Sequence, residues 1–172
     1  MIHPSAWISP HARIHTTKLV VGKHCRIDDG VILTGDIELG DYVHLAAYAV
    51  LTGRGGIKVG SYTGISMFCV LLTGSDDASG LSMVGPTVPD EFKPGLNTGP
   101  VVVGRNCFIG AHSTLMPGVT VSEGVAVGAY SLVKSDCEKD WIYAGVPARK
   151  MKLRSNRMWE LVEKLESVPD GK

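Results

Sequence analysis

An aliphatic residue returns every six positions along most of this chain, and the recurrence has no exception. The leads are Ile2, Ile8, Ile14, Val21, Ile27, Leu33, Leu39, Leu45, Leu51, Val59, Ile65, Leu71, Val103, Ile109, Leu115, Val121, Val127 and Val133. Ile, Leu and Val make up about a quarter of the residues, so eighteen hits in eighteen steps do not follow from composition. Six residues are too few for a helical repeat and fit one short strand plus one turn. Alternation along such a strand sends the lead inward and its immediate neighbours outward. Three sides close a triangular coil of eighteen residues, so the eighteen leads predict a solenoid of about six coils. At roughly 4.8 Å per rung, the stack is on the order of 29 Å tall.

The position two before each lead is expected to point inward as well, where the chain turns and space is tight. Cys25, Ala49, Gly55, Thr63, Cys69, Cys107, Ser113, Ser131 and Cys137 are among its occupants, with Val31, Ile37, Val43, Val119 and Val125, so small or compact residues fill it nearly everywhere. All four cysteines fall on this slot and no CxxC occurs. They read as apolar fillers, not as a disulfide framework or a thiolate metal site.

The interruptions carry information too. One extra residue separates Ile14 from Val21, two separate Leu51 from Val59, and 26 separate Leu71 from Val103. The last excursion, residues 74–99, carries Pro86, Pro89 and Pro94 and reads as a long loop thrown out from the fourth coil. After Val133 the repeat stops. Leu153, Met158, Leu161, Leu165 and Val168 have helical spacing, and Pro169, Asp170 and Gly171 end the run. This helix is expected to cap the open end of the stack. The division is then a solenoid over 1–138, with the loop at 74–100, and a tail with its helix over 139–172.

Lys plus Arg and Asp plus Glu balance at 17 each, so no basic field draws nucleic acid or anionic lipid. No stretch approaches the ~20 apolar residues of a membrane span. The segment MIHPSAW already lies in repeat register, so no signal peptide and a cytoplasmic location are expected.

Gly22, Gly40, Gly60, Gly104, Gly110 and Gly128 stand beside the leads, and the run VGRNCFIGAHSTLMPGVTVSEGVAVGAYSLV is followed by AGVPARK. This pattern resembles the hexapeptide-repeat acyltransferases, which fold as left-handed parallel β-helices. It is especially similar to galactoside acetyltransferase and to acetyltransferases of surface-polysaccharide gene clusters. The hand is implied by the resemblance alone, since parallel crossovers are ordinarily right-handed. The resemblance also implies acetyl-CoA as co-substrate, no metal, and a homotrimer with active sites in clefts between neighbouring prisms.

Acyl transfer needs a group that takes the nucleophile's proton and donors for the developing oxyanion. In galactoside acetyltransferase-like enzymes a histidine in the long loop does the first task. Here the loop has none, and Ser75, Asp76 and Asp77 stand where it is expected. These three are candidates for substrate binding, or else form a solvated turn. His44 is the candidate catalytic residue. It precedes the lead Leu45, so it faces outward, and Ala46 and Ala47 leave room for a ligand. IELGDYVHLAAYAVL is similar to the histidine-bearing strand of bacterial amino-sugar N-acetyltransferases, in which the counterpart of His44 contacts the thioester carbonyl. The histidine assigned as base there lies nine residues earlier, and here that position is Gly35. His44 is thus base, oxyanion donor or both, or else lines a subunit interface. His112 is the reserve, and His3, His11, His15 and His24 read as surface residues.

The small outward residues Gly110, Ala126, Gly128 and Ala129 form a candidate groove for the pantetheine arm. Arg149 and Lys150 are candidates for the phosphates of coenzyme A, or else ordinary solvated charges. The expected function is acetyl-CoA-dependent O-acetylation of a sugar in bacterial surface-polysaccharide biosynthesis. The alternative is N-acetylation of a nucleotide-linked amino sugar. A non-catalytic scaffold is the rival of another class. A zinc carbonic anhydrase on the same fold is disfavoured, because the close histidine pair His11 and His15 lies in the first coil.

Overall fold

All eighteen leads stack, each directly over its counterpart one coil away. In the computed structural model, which describes residues 1–168, three faces of parallel rungs wind around one core. The first face stacks Ile8, Ile27, Leu45, Ile65, Ile109 and Val127. The second stacks Ile14, Leu33, Leu51, Leu71, Leu115 and Val133. The third stacks Ile2, Val21, Leu39, Val59, Val103 and Val121. From Val21 onward every lead is buried. The first coil, with a rung on one side only, leaves Ile2 exposed and Ile8 and Ile14 half-buried.

The interruptions become local features of this stack. The extra residue before Val21 is a bulge between His15 and Lys18 in the strand Arg13–Val21. The two extra residues before Val59 make the turn that follows Thr52, and they also shift the inward slot. Gly55 is exposed there, and Ile57 takes the buried place expected of it. Gly35 lies below that turn with φ +80°, and a Cβ on it would sit 1.9 Å from the Gly53 carbonyl oxygen. Only glycine fits at that corner.

The solenoid outlasts the hexapeptide pattern. Cys137 bridges to Val121 on the third face, and Tyr143 pairs over Val127 as a seventh rung of the first. The strand Trp141–Gly145 then turns back through Ala148–Leu153, which lies antiparallel on it. This hairpin, not the helix, closes the last rung. The helix is shorter than expected, Arg157–Glu166, because Leu153 belongs to the hairpin. It lies along the corner between the third and first faces. Arg154 donates to the carbonyls of Asn106 and Gly124, Trp159 to Asp140, and Glu166 accepts from Arg105 and Tyr62. The expected stop at Pro169, Asp170 and Gly171 falls outside the described residues.

Two columns of rings run up the corners. Tyr48, Phe68, His112 and Tyr130 stack with centroids 4.7–5.2 Å apart, and His24, Tyr42 and Tyr62 stack on another corner. All seven have positive φ, a conformation that side chains disfavour. Stacking between successive coils offsets that cost.

The long excursion is not structureless. Gly74–Ser75 and Asn97–Thr98 pair as an antiparallel stem that brings its ends together. Within it, Asp76 accepts from the Gly85 amide, and buried Lys93 bonds the Gly85 carbonyl and pairs with Asp90. The four cysteines are free and buried in the slot expected of them. Burial pushes the Cys107 thiol up to about 11 and the Cys137 thiol to about 12. Ellman's reagent is therefore expected to find no reactive thiol in the folded protein and four in denaturant. Rapid labelling of even one thiol without denaturant would contradict this packing.

Candidate active site

The outward side of the first face collects the chemistry. His44, Gly64 and Phe108 lie over one another in register, just before the leads Leu45, Ile65 and Ile109. His44 is half-exposed, and its Nε2 lies 2.8 Å from Asp28 Oδ2 one coil below. The other oxygen of Asp28 accepts from Arg26 Nε at 2.6 Å. Asp28 is largely sheltered; its carboxyl lies below its ordinary value because the hydrogen bonds and charges of Arg26 and His44 outweigh desolvation, which alone would raise it. The carboxylate thereby fixes the plane of the His44 ring and leaves Nδ1 uncommitted to Asp28.

The residues just after the leads form a second column, held by ladder hydrogen bonds. It runs Ala46, Ser66, Gly110, Gly128 and Ala144, and Arg149 pairs beside Ala144 at its top. Ser66 has no hydrogen bond to its hydroxyl among the described residues. Gly110 is buried, and a Cβ there would lie 2.5 Å from the Ala129 nitrogen, so its glycine is a packing requirement. Ala126 is half-buried and Ala129 exposed on the same edge. The structure thus gathers Gly110, Gly128 and Arg149 along this column, with Ala126 over Phe108 in the column beside it and Ala129 next after Gly128. From Ser66 to Arg149 is four rung steps, about 19 Å, comparable to an extended pantetheine arm. Lys150 is committed inside the chain: its Nζ lies 2.5 Å from Glu138 and 3.9 Å from the Trp141 ring centroid. His112 is stacked between Phe68 and Tyr130 in the corner column.

Ser75 and Asp76 lie elsewhere. They line a cavity of about 590 Å³ between the excursion and the turn at Gly53–Arg54, with Asp90 and Lys93 on its far wall. Asp77 does not line it. Its carboxylate accepts from the Ser79 amide and hydroxyl and the Leu81 amide, which holds it below the usual carboxylate range. It organises the turn. Within one chain, the width of the second face separates this cavity from Ser66. Among the described residues, no cluster of three or more His, Cys, Asp or Glu side chains could hold a metal, and no helix is long and apolar enough to cross a membrane.

Residues 18–53 and 100–135 match the family described as bacterial transferase hexapeptide (six repeats). An Escherichia coli dTDP-4-amino-4,6-dideoxy-D-glucose acyltransferase is 35% identical over 144 residues, which span 82% of this chain and 74% of that one. The chain belongs to the hexapeptide-repeat acyltransferases. Among solved structures, a serine-to-alanine variant of AntD, an N-acyltransferase from Bacillus cereus, superimposes with a TM-score of 0.93. It is 38% identical and the match covers 97% of this chain and 91% of that one; it was crystallised with dTDP-4-amino-4,6-dideoxyglucose and coenzyme A. AntD with dTDP and 3-hydroxybutyryl-CoA gives a TM-score of 0.91 at 39% identity, covering 95% of this chain and 87% of that one. Galactoside O-acetyltransferase of Escherichia coli matches less of the chain, 33% identical over 79 residues, 45% of this chain and 39% of that one.

Proposed function

We propose that this protein N-acylates an amino sugar carried on a nucleoside diphosphate, taking the acyl group from a coenzyme A thioester. The observation that carries the choice of amine over hydroxyl is the composition of the excursion, which holds carboxylates and no histidine. A sugar hydroxyl must lose its proton as it attacks, which calls for a base with a pKa near neutrality. A neutral amine attacks unaided and becomes strongly acidic once bonded to carbon, so a carboxylate suffices to take its proton. The relatives point the same way. AntD variants crystallised with a nucleotide or nucleotide sugar are changed at a serine or at an aspartate ten residues further on. In this chain Ser66 and Asp76 are the one serine–aspartate pair with that spacing.

In this reading the amine attacks the thioester carbonyl and the C–S bond breaks as the tetrahedral intermediate collapses. The thiolate leaves with the coenzyme, and Asp76 takes the proton from nitrogen. The Ser66 hydroxyl donates to the oxyanion, and His44, held by Asp28, lies beside it. Arg149 meets the coenzyme phosphates at the top of the column. The cavity beside Arg54 takes the nucleotide-linked sugar. Because Asp76 and Ser66 face apart within one chain, the site forms where the excursion of one copy meets the first face of the next, in the homotrimer that the family resemblance implies.

Thiol release from acyl-CoA across a panel of nucleotide-linked amino sugars and neutral sugars tests the reading. Turnover is expected with amines only. Release driven by neutral sugars would return the O-acyl alternative, and no release with any acceptor would favour the scaffold.

A further inference from the structure

Gly64 has no reason within the chain to be glycine. Its φ is not in the left-handed region, and a Cβ built on it would meet nothing within 4 Å. Most glycines that follow the leads behave differently: Gly22, Gly40, Gly60, Gly104 and Gly110 would each put a Cβ within 2.7 Å of the next coil, and Gly128 would put one 3.1 Å from the Ala144 Cβ. A glycine inside a strand weakens it and marks a place where something from outside comes close.

The neighbours of Gly64 define what fits. His44 lies one rung below and Phe108 one rung above, in register, and both are about half-exposed. Two rung spacings put these side chains about 9.6 Å apart. A hydrocarbon chain touching both takes roughly 7–8 Å. The slot is therefore one chain wide, with a hydrogen-bonding wall at His44 and an apolar wall at Phe108. Ser66 is two residues along the same stretch of chain, at the point where the reading above sets the thioester.

We propose that the slot over Gly64 receives the acyl chain of the donor and selects a hydroxyacyl group longer than acetyl, of about four carbons. The assignment rests on the transferase reading above. An acetyl group would leave the slot to water, whereas a 3-hydroxyacyl group sets its hydroxyl against His44 and its methyl end against Phe108. The binding of 3-hydroxybutyryl-CoA by AntD agrees with a site of this size in a relative.

The test compares kcat/KM for 3-hydroxybutyryl-CoA and acetyl-CoA in the wild-type protein, Gly64→Val and Phe108→Ala, with the native mass of each measured alongside. The wild type is expected to prefer the longer donor. Gly64→Val should lower the ratio of longer to shorter by roughly 10–200-fold, and Phe108→Ala should shift preference toward still longer chains such as hexanoyl. Equal losses on both donors, an unmoved ratio or a wild type that prefers acetyl would overturn the assignment. A Gly64→Val protein of altered native mass would do so too, by placing a neighbouring copy in the slot. A wild type inert toward every donor would instead sink the transferase reading itself.

Discussion

Asp76→Asn is expected to lower kcat/KM for transfer by on the order of 10²–10⁴-fold, the usual cost of removing a proton acceptor. The substitution suits the question because Asn keeps an oxygen to accept from the Gly85 amide, the bond that ties Asp76 into the excursion. The fold of that segment is retained and the change is confined to the proton. Ser66→Ala is the companion variant. Its hydroxyl bonds nothing else among the described residues, so its loss is also read in activity and not in stability. Each variant alone is expected to be nearly inactive. If the excursion of one copy serves the first face of another, subunits of the two variants mixed by refolding should regain about a quarter of the wild-type sites, those with both elements intact. Mixed assemblies that stay inactive, with subunit exchange verified by mass, would place both residues in a single copy and refute the shared site.

Leu45→Ala should destabilise the protein by about 2–5 kcal/mol, toward the upper end of the range for large-to-small core changes. Leu45 is fully buried, stacked between Ile27 and Ile65 in the middle of the first face. Backbone ladders above and below hold the coils apart, so the core has little freedom to collapse into the space. Each coil is stabilised by its neighbours, so the loss is felt at two interfaces at once. Against a total stability typically of 5–15 kcal/mol, such a loss is a large fraction. Urea unfolding followed by far-UV circular dichroism measures it, and a change below about 1 kcal/mol would contradict a sealed, rigid interior.

The leads were legible because one requirement decides them: a residue on a narrow inward face must be aliphatic, whatever stands beside it. The stack therefore follows from periodicity alone. Tyr143 escaped that rule: the last coil takes a larger ring there that is still buried, its hydroxyl accepting from the Glu138 amide. The segment Ala148–Leu153 reads as helix-compatible by composition, but pairing with Trp141–Gly145 overrides local preference. The ring columns did leave a trace. Tyr48, Phe68, His112 and Tyr130 each stand three residues after a lead of the first face, and His24, Tyr42 and Tyr62 three after a lead of the third. Of the candidate site, His44 was visible as an outward residue among small ones. Its partner Asp28 was not, because only stacking by one coil brings the two together. Ser66 gave no signal either, and its meaning comes from the column it shares with Gly110, Gly128 and Arg149.

The paired stem Gly74–Ser75 and Asn97–Thr98 closes the excursion on itself where it leaves the wall. On the reading proposed above, donor handling and acceptor recognition are thus written in separable stretches of sequence. Such a cassette can be exchanged or redrawn without disturbing the spiral staircase that carries it, so one scaffold can diversify across many sugars while its grip on the coenzyme stays the same.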